Sequence, residues 1–381
     1  MKRFLVGVFL IFFIFGCVDR IYYPIPAPKS YGLSLSGHIN DQPGPYRVSV
    51  FRNYDVESQY NIKTGITAKS VVISDAEGNA ETLTQVQSGI YETSAEGIRG
   101  KVGGIYKVTV ELKDGRVYES VPDTLLPGGV VNDVHYKLLS RVVPDGVIYE
   151  FWIYANSSVD PGRSDGYFIW NNKTTYKAKT DPFAEYAPPQ GQCYMRPDGV
   201  CNFVAPCSGF WNAATGGKFD PKYVGPCECC ICWYDMYNKS IVINDSFTSN
   251  NGVYRDVLVD RIEMTGWMMM YKMRFEISMQ SLSPRAGRFW KALNAQRNAV
   301  NNLFQPATGA IPGNFQQLKG ADAPIEGIFY SSSVTTKEIY VLRGDVNPAI
   351  IPSTTFKGAG AFPCNKLAPN ATTVMPDFWI D

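Results

Sequence analysis

Residues 271–280 read YKMRFEISMQ, and apolar and polar side chains alternate through the whole stretch. Successive side chains of a β-strand point to opposite faces of a sheet, so this alternation predicts a strand with one buried face. The residues predicted to be buried are Tyr271, Met273, Phe275, Ile277 and Met279. A similar alternation follows the Asp145-Gly146 turn, at Val147, Tyr149, Phe151 and Ile153. Both patterns predict half-buried sheets in the C-terminal part of the chain.

One helix is predicted directly after this strand. Ser283 has the side chain of a helix N-cap, and Pro284 suits the first helical position. Apolar residues then recur at roughly the helical period, at Ala286, Phe289, Trp290, Leu293 and Val300. The pattern predicts a helix near residues 284–303, with Phe289 and Trp290 packed on the sheet.

The sequence pattern of residues 31–122 predicts a separate β-domain. Short alternating runs are separated by turn residues, and Asp114-Gly115 is a strong hairpin signal. Several short strands at this spacing are typical of an immunoglobulin-like sandwich. Since Pro127-Gly128-Gly129 marks a boundary, we expect an all-β protein of two β-sandwich-like domains, the second over residues 130–381.

The charge balance argues against a nucleic-acid partner. The 381 residues contain 36 Lys and Arg against 35 Asp and Glu, a formal net charge of +1, and no basic run occurs. Nucleic-acid-binding domains usually carry clustered basic residues. We therefore expect no nucleic acid among the partners, and no motif for a cofactor is present.

The N-terminus has the layout of an export signal. Two basic residues precede an apolar run over residues 4–15, and Gly16-Cys17 follows. The run is shorter than the ~20 residues of a spanning helix, and a small residue before a cysteine suits a signal peptidase. This resembles the bacterial lipobox, which implies that residues 1–16 are a signal peptide and that Cys17 carries a covalent lipid. Residues 17–30, rich in proline, would then form an extended tether. The alternative is a buried N-terminal helix with an incidental cysteine.

Eight cysteines follow Cys17, and seven of them lie in one cluster. They are Cys193, Cys201, Cys207, Cys227, Cys229, Cys230, Cys232 and Cys364. An exported chain meets an oxidising environment, which favours disulfides over a zinc–thiolate site. If all eight are paired, the odd number in the cluster requires Cys364 to bond one of its members, and the other pairings stay open. Such bonds would brace an otherwise loop-like insertion over residues 178–232.

Aromatic residues in and beside this insertion have two possible roles. They are Tyr194, Phe203, Phe210, Trp211, Tyr223 and Trp233. Tyrosine and tryptophan are enriched at interfaces, so these rings form either a contact surface for a partner or the cover of a small local core.

No catalytic motif is recognisable. The sequence has no Gly-x-Ser-x-Gly elbow, no His-Glu-x-x-His and no phosphate-binding glycine loop before a helix. The two histidines, His38 and His135, suit structural roles. We expect no catalytic residues and a non-enzymatic protein, although the paired carboxylates of a glycosidase would leave no motif.

The order of many short motifs is similar to that of a family of Bacteroidota outer-membrane lipoproteins of unknown function. The motifs of the first domain are Gly37, Pro43–Tyr46 with Val48 and Val50, Ala68, Val71, Asp75, Gly78-Asn79, Gly89, Tyr91, Val102-Gly103, Tyr106, Asp114–Arg116, Tyr118 and Ser120. Those of the second are Cys232-Trp233, Ser281–Ser283, Phe289-Trp290, Phe304, Gly313-Asn314 and Gly327–Phe329. The cysteine-rich stretch 193–230 goes beyond the family pattern, so any role of that loop is particular to this chain.

The resemblance implies a location and a kind of partner. Members of the family are commonly encoded beside TonB-dependent receptors. We therefore expect a lipid-anchored protein of the outer membrane that faces the cell exterior.

It would be an accessory or scaffold subunit of a large outer-membrane β-barrel, a TonB-dependent transporter first of all, with other surface lipoproteins as further partners. The acidic residues that often direct such proteins outward are represented only by Asp19. Two alternatives stay open: a subunit of a secretion or barrel-assembly machine, and a free-standing surface glycan binder or adhesin.

Overall fold

The computed structural model of the protein describes residues 32–52, 64–161, 166–182, 206–212, 221–245, 249, 251–299, 311–320, 325–354, 363–368 and 370–380. These residues form two β-sandwiches and one α-helix, which confirms the predicted all-β fold class. The predicted signal peptide, the predicted lipidation site Cys17 and the predicted tether lie outside the described residues. Within the described ranges, no helix is long and apolar enough to cross a membrane.

The first sandwich has immunoglobulin-like topology. One sheet contains, in spatial order, β1 (Leu33–Asn40), β2 (Arg47–Arg52), β7 (Ile90–Glu92) and β6 (Thr84–Gln87). The other contains β5 (Ala80–Thr82), β4 (Ala68–Asp75), β8 (Ile105–Leu112) and β9 (Val117–Ser120). These orders correspond to A-B-E-D and C′-C-F-G of an immunoglobulin-like sandwich. Two short strands, β3 (Thr64–Gly65) and β10 (Asp123–Thr124), pair with β2 and β8.

The core of the first sandwich follows from the alternation along its strands. In β8, Tyr106, Val108 and Val110 are buried, and the residues between them are only partly covered. The hairpin from β8 to β9 turns at Asp114-Gly115, as predicted, and Gly115 has a φ of +86°. Glycine adopts that left-handed conformation without steric cost, which is why this dipeptide can join two adjacent strands.

A segment from late in the chain extends both sheets of the first sandwich. We call it the return segment; it consists of β20 (Phe315–Lys319), β21 (Ile325–Glu326) and β22 (Phe329–Ser332). β20 pairs antiparallel with β9, and β21 and β22 pair parallel with β1, so both strands lose an open edge. The predicted division placed all of residues 130–381 in the second domain. The structure differs, because the backbone of the return segment hydrogen-bonds to the first sandwich and so makes this segment part of it.

Asn314 and Gly327 fasten the return segment. The side chain of Asn314 donates from Nδ2 to Phe329 O at 2.6 Å and accepts from Phe329 N at Oδ1 at 2.9 Å. Gly327 has a φ of +110°, and a Cβ there would lie 1.9 Å from Leu35 O. Both residues belong to motifs that carry the family resemblance, and their geometry gives a physical reason for those residue types.

The second sandwich packs a three-stranded sheet on a larger one. The smaller sheet contains β11 (Val130–Val143), β12 (Gly146–Ser158) and β18 (Val253–Glu263). The larger, which we call the main sheet, contains β23 (Val334–Leu342), β19 (Lys272–Leu282), β13 (Tyr167–Lys179), β16 (Ile231–Tyr237) and β24 (Ala371–Thr372), with β17 (Val242–Asp245) also paired to β13. Its core centres on Phe275, which is fully buried and lies 5.8 Å from Phe151, ring centroid to ring centroid.

The strand and the helix predicted from 271–303 are both present. Four of the five predicted core residues of the strand are fully buried, and Tyr271 is 40% exposed because β19 begins only at Lys272. The helix, α1 (Pro284–Ala299), starts at the predicted proline, and Ala286 N donates to Ser283 Oγ at 3.2 Å as expected of an N-cap. Phe289 and Trp290 pack against Ile169 and Leu282 of the main sheet, as predicted.

The predicted insertion 178–232 is partly regular structure. Its first residues continue β13, and its last two begin β16. Between them, β14 (Phe210–Asn212) and β15 (Pro221–Tyr223) form a two-stranded antiparallel sheet. Residues 183–205 and 213–220 lie outside the described ranges.

Candidate functional site

The floor of a cavity is formed by three cross-strand pairs on the outer face of the main sheet. Ile169 lies opposite Gln280, Asn171 opposite Ser278, and Lys173 opposite Glu276. These six residues line a cavity of about 470 Å³. They face outward because the alternate residues of the same strands, such as Trp170 and Ile277, fill the sandwich core.

One wall of the cavity comes from α1. Trp290 and Arg297 line it, and Tyr330 of β22 lies beside Trp290 with the ring centroids 6.1 Å apart and the ring planes at 85°. The packing of α1 on Ile169 and Leu282 holds this wall against the sheet.

The opposite wall is the connection from β16 to β17, residues 237–241. Asn238 fixes its path, since its Oδ1 accepts from Asn172 N at 3.0 Å and its Nδ2 donates to Ser240 O at 2.8 Å. The guanidinium of Arg297 donates to Lys239 O and so joins the two walls.

Several polar groups in the cavity have no protein partner. The indole Nε1 of Trp290 is buried and makes no hydrogen bond. Among the described residues, the side chains of Asn171, Ser278 and Gln280 make none either. The charged residues of the lining are Lys173, Lys239, Arg297 and Glu276, so cationic groups outnumber anionic ones. The amides of Asn171 and Gln280 and the hydroxyl of Ser278 are half-buried and can both donate and accept, so this lining is suited to a polar ligand.

The rest of the outer face is covered by the C-terminal strap, residues 370–380. Trp379 is buried and contacts Trp233 and Tyr340, with ring centroids 6.4 and 6.5 Å away. Tyr340 Oη donates to Phe378 O at 3.0 Å. The ring of Phe378 lies 5.6 Å from the Lys173 ammonium. Since Lys173 also lines the cavity, the strap reaches the edge of the cavity.

Three disulfides lie near the strap in the described part of the chain. They are Cys207–Cys229, Cys227–Cys230 and Cys232–Cys364. Cys364 therefore bonds a member of the cluster, and these six sulfurs are not available as thiolates for zinc. Cys193 and Cys201 lie outside the described residues.

The aromatic residues of the insertion divide between the two predicted roles. Tyr223 is 69% exposed, but Trp233 is only 7% exposed. Trp233 is covered by Trp379 of the strap and so belongs to a local core and not to a contact surface. Tyr194 and Phe203 lie outside the described residues, as do the side chains of Phe210 and Trp211, whose backbone pairs with β15.

A second exposed feature is the tip of the β11–β12 hairpin. Along one side of it the opposed pairs are Leu138 with Phe151, Ser140 with Tyr149, and Val142 with Val147. Phe151 is fully buried, whereas Val142 is 84% and Val147 is 54% exposed. The apolar alternation thus continues beyond the part of the hairpin that the rest of the sandwich covers. We call residues 139–148 the overhang.

The buried carboxylates serve the fold. Asp123 accepts from Ser283 Oγ at 2.5 Å through Oδ1 and from Ser331 N at 2.8 Å through Oδ2, so it joins the helix N-cap to β22. Burial raises the pKa of Asp123, and the bonds from both serines only partly offset this. Burial likewise raises the pKa of Asp260, which accepts from Asn172 Nδ2 at 3.0 Å.

The histidines lie in different sandwiches. His38 stacks on Tyr330 with the ring centroids 5.6 Å apart, and burial lowers its pKa. His135 lies between Asp133 and Asp256, with nitrogen–oxygen distances of 3.0 and 3.3 Å.

The raised pKa of Asp123 predicts a pH effect on stability. A group with a raised folded-state pKa stabilises the fold fully below its unfolded pKa, and this contribution is lost as pH rises through the folded value. Asn at this position offers one acceptor to Ser331 N and one donor to Ser283 Oγ. We expect Asp123→Asn to lose less stability than the wild type between pH 4 and pH 7, as measured by urea unfolding. The exposed Asp145→Asn serves as control, and parallel pH profiles of wild type and Asp123→Asn would contradict the expectation.

The cavity residues were not predicted from the sequence. The 271–280 alternation assigns Ser278 and Gln280 to the outer face of the sheet, and both lie there, but it does not predict the cavity that they line. Their meeting with Asn171 depends on the register of β13 against β19, which no local pattern encodes.

The chain matches one family model but no curated protein. The sequence model of the family described as "Domain of unknown function (DUF4249)" matches residues 19–338. This range covers both sandwiches through β22 and most of β23, including the return segment and every cavity residue. The chain therefore belongs to the DUF4249 family.

Proposed function

We propose that this protein is a surface-exposed, lipid-anchored outer-membrane protein that acts as a non-enzymatic accessory or scaffold subunit of a large β-barrel, in the first place a TonB-dependent transporter. The anchor in this proposal is Cys17, and the barrel partner comes from the resemblance described above. The buried Asp123 and the half-buried Asp260 are both engaged in bonds that hold the fold, which supports a non-enzymatic role.

The observation that carries the proposal is the overhang. Its exposed aliphatic side chains Val142 and Val147 lie directly opposite each other at the end of a two-stranded arm, and the exposed Leu139 lies on the other face of that arm. The arm is stiffened by an ion pair between Arg141 and Glu150, at 2.9 Å. Clustered aliphatic side chains at an exposed tip are typical of a surface that is covered by a partner. Because the barrel is the partner that the resemblance supplies, we assign the overhang to docking against its outer loops.

The proposal is tested with tagged full-length protein purified in mild detergent from native membranes, with mass spectrometry of what accompanies it. The wild type should recover one β-barrel protein in stoichiometric amount. Val142→Asp combined with Val147→Asp should reduce that recovery about tenfold or more, since two charges would have to be desolvated at the contact.

The matched control is Val86→Asp combined with Val102→Asp, two exposed valines of the first sandwich (48% and 54%). The control should keep the wild-type free energy of unfolding within about 0.5 kcal/mol, as expected of surface positions, and the overhang variant within about 1 kcal/mol, because its two aspartates are directly opposed. A secretion or barrel-assembly protein in the eluate would replace the transporter in the proposal. Recovery of the protein alone, or full recovery of the barrel with the overhang variant, would refute it.

A further inference from the structure

We propose that the cavity between α1, the 237–241 connection and the main sheet is a binding site for an acidic saccharide, a sugar that carries a carboxylate. The inference is independent of the barrel partner, because it rests on different residues from those of the overhang.

The shape of the site favours a small ligand. Its volume of about 470 Å³ lies within the ~300–1,000 Å³ range of small-molecule sites. The floor is two rigid, centrally placed strands of the main sheet, and the walls are fixed by α1 packing and by Asn238. A site on such elements is preorganised, so little ordering of the protein opposes binding.

The hydrogen-bonding groups indicate a polyhydroxylated ligand. Asn171 and Gln280 each offer an amide with both donor and acceptor, and Ser278 offers a hydroxyl. Since the side chains of Asn171, Ser278 and Gln280 have no partner among the described residues, they are available to ligand hydroxyls. Closely spaced hydroxyls act as donors and acceptors at once, which matches this mixed set.

The indole of Trp290 adds a second kind of contact. Its Nε1 is buried and not open to the cavity, so the contact that Trp290 offers a ligand comes from its ring. Its ring and that of Tyr330 form an aromatic corner at the same end of the cavity. Amphipathic rings of this kind bind the apolar C–H face of a sugar while the polar floor binds its hydroxyls.

The charge distribution favours a carboxylate on the sugar. Arg274 pairs with both Glu276 and Glu338, and Lys173 pairs with Asp235 at 3.0 Å, so neither Glu276 nor Lys173 is an isolated charge. Arg297 forms no ion pair within the described ranges, and its guanidinium stands at the rim beside Lys239. A guanidinium is suited to bidentate recognition of a carboxylate.

The test uses full-length protein in detergent and ligand-observed NMR titration with D-galacturonate and D-glucuronate. Galactose and glucose are the neutral comparisons, and acetate and inorganic phosphate are the anion comparisons. At least one uronate should bind with a dissociation constant below about 1 mM, more tightly than its neutral counterpart and than either simple anion.

Three variants divide the contributions. Arg297→Ala should abolish the preference for the uronate over the neutral sugar, a loss of about tenfold. Ser278→Ala combined with Gln280→Ala should weaken acidic and neutral sugars alike. Trp290→Phe keeps an aromatic ring and should weaken binding less. Arg288→Ala is the matched control, because it removes the same charge from the same helix outside this cavity.

Each outcome bears on the proposal. Uronate binding that is sensitive to Arg297→Ala but not to Arg288→Ala supports it. Phosphate or acetate binding as tight as that of the uronate would make the site a general anion site and overturn the saccharide assignment. Absence of uronate binding to the folded wild type, or binding indifferent to all three cavity variants, would overturn the proposal as well.

Discussion

Replacing Gly327 with alanine is expected to lower the free energy of unfolding by about 3 kcal/mol or more. The φ of +110° alone costs a side chain about 1–3 kcal/mol. The added Cβ would also lie 1.9 Å from Leu35 O, a backbone atom of β1 that cannot rotate away. Relief requires the return segment to move off β1 and to lose the bond from Gly37 N to Ile328 O, which is 3.0 Å long. Urea unfolding followed by tryptophan fluorescence measures the change.

The control for this substitution is Gly344→Ala. A Cβ at Gly344 meets no atom within 4 Å, so its effect should stay within about 0.5 kcal/mol. Equal stability of Gly327→Ala and the wild type would contradict the parallel pairing of the return segment with β1.

Removal of the Cys232–Cys364 disulfide is expected to have a comparable effect. The two residues are 132 positions apart, and a cross-link over a loop of that length stabilises by about 5 kcal/mol in the chain-entropy estimate, with about 2–5 kcal/mol typical of measured losses. Cys232→Ala combined with Cys364→Ala should therefore lower the free energy of unfolding by about 2–5 kcal/mol. It should also loosen the strap and shift the emission of Trp233 and Trp379 to longer wavelength.

A disulfide of the same protein provides the control. Cys227 and Cys230 are only 3 positions apart, and the same estimate gives about 2 kcal/mol for so short a loop. Removal of the Cys227–Cys230 bond should therefore lower the free energy of unfolding less than removal of Cys232–Cys364 does. An equal loss would mean that the strap is held by its packing and not by the long-range cross-link.

The features that the sequence predicts well are those with local causes. The strand at 272–282 follows from an unbroken alternation, the turn at Asp114-Gly115 from glycine conformation, and the start of α1 from Ser283-Pro284. In each case the residues that decide the structure are neighbours in the chain. The order of strands in the first sandwich also agrees with the immunoglobulin-like prediction, because hairpins between successive strands build most of it.

The features that the sequence does not predict depend on distant residues. The return segment consists of strands too short for a periodic pattern, and only its pairing with β1 and β9 makes it part of the first sandwich. The sequence leaves open whether Trp233 belongs to a contact surface or to a local core, and its contact with the distant Trp379 decides for the core. The alternation at 147–153 puts Val147 on the buried side of its strand, but how far the rest of the sandwich extends decides whether that side is covered.

The return segment also determines the order in which the protein can be completed. A ribosome releases β1 and β9 early, but β20, β21 and β22 emerge only after the smaller sheet of the second sandwich and α1. Contacts between residues so far apart in the chain form slowly, and until they form the first sandwich has two open strand edges. A polypeptide truncated before Phe315 retains those edges permanently. Incomplete translation products are therefore expected to aggregate or to be degraded, and the first sandwich, although synthesised first, can be finished only after most of the second sandwich has been made.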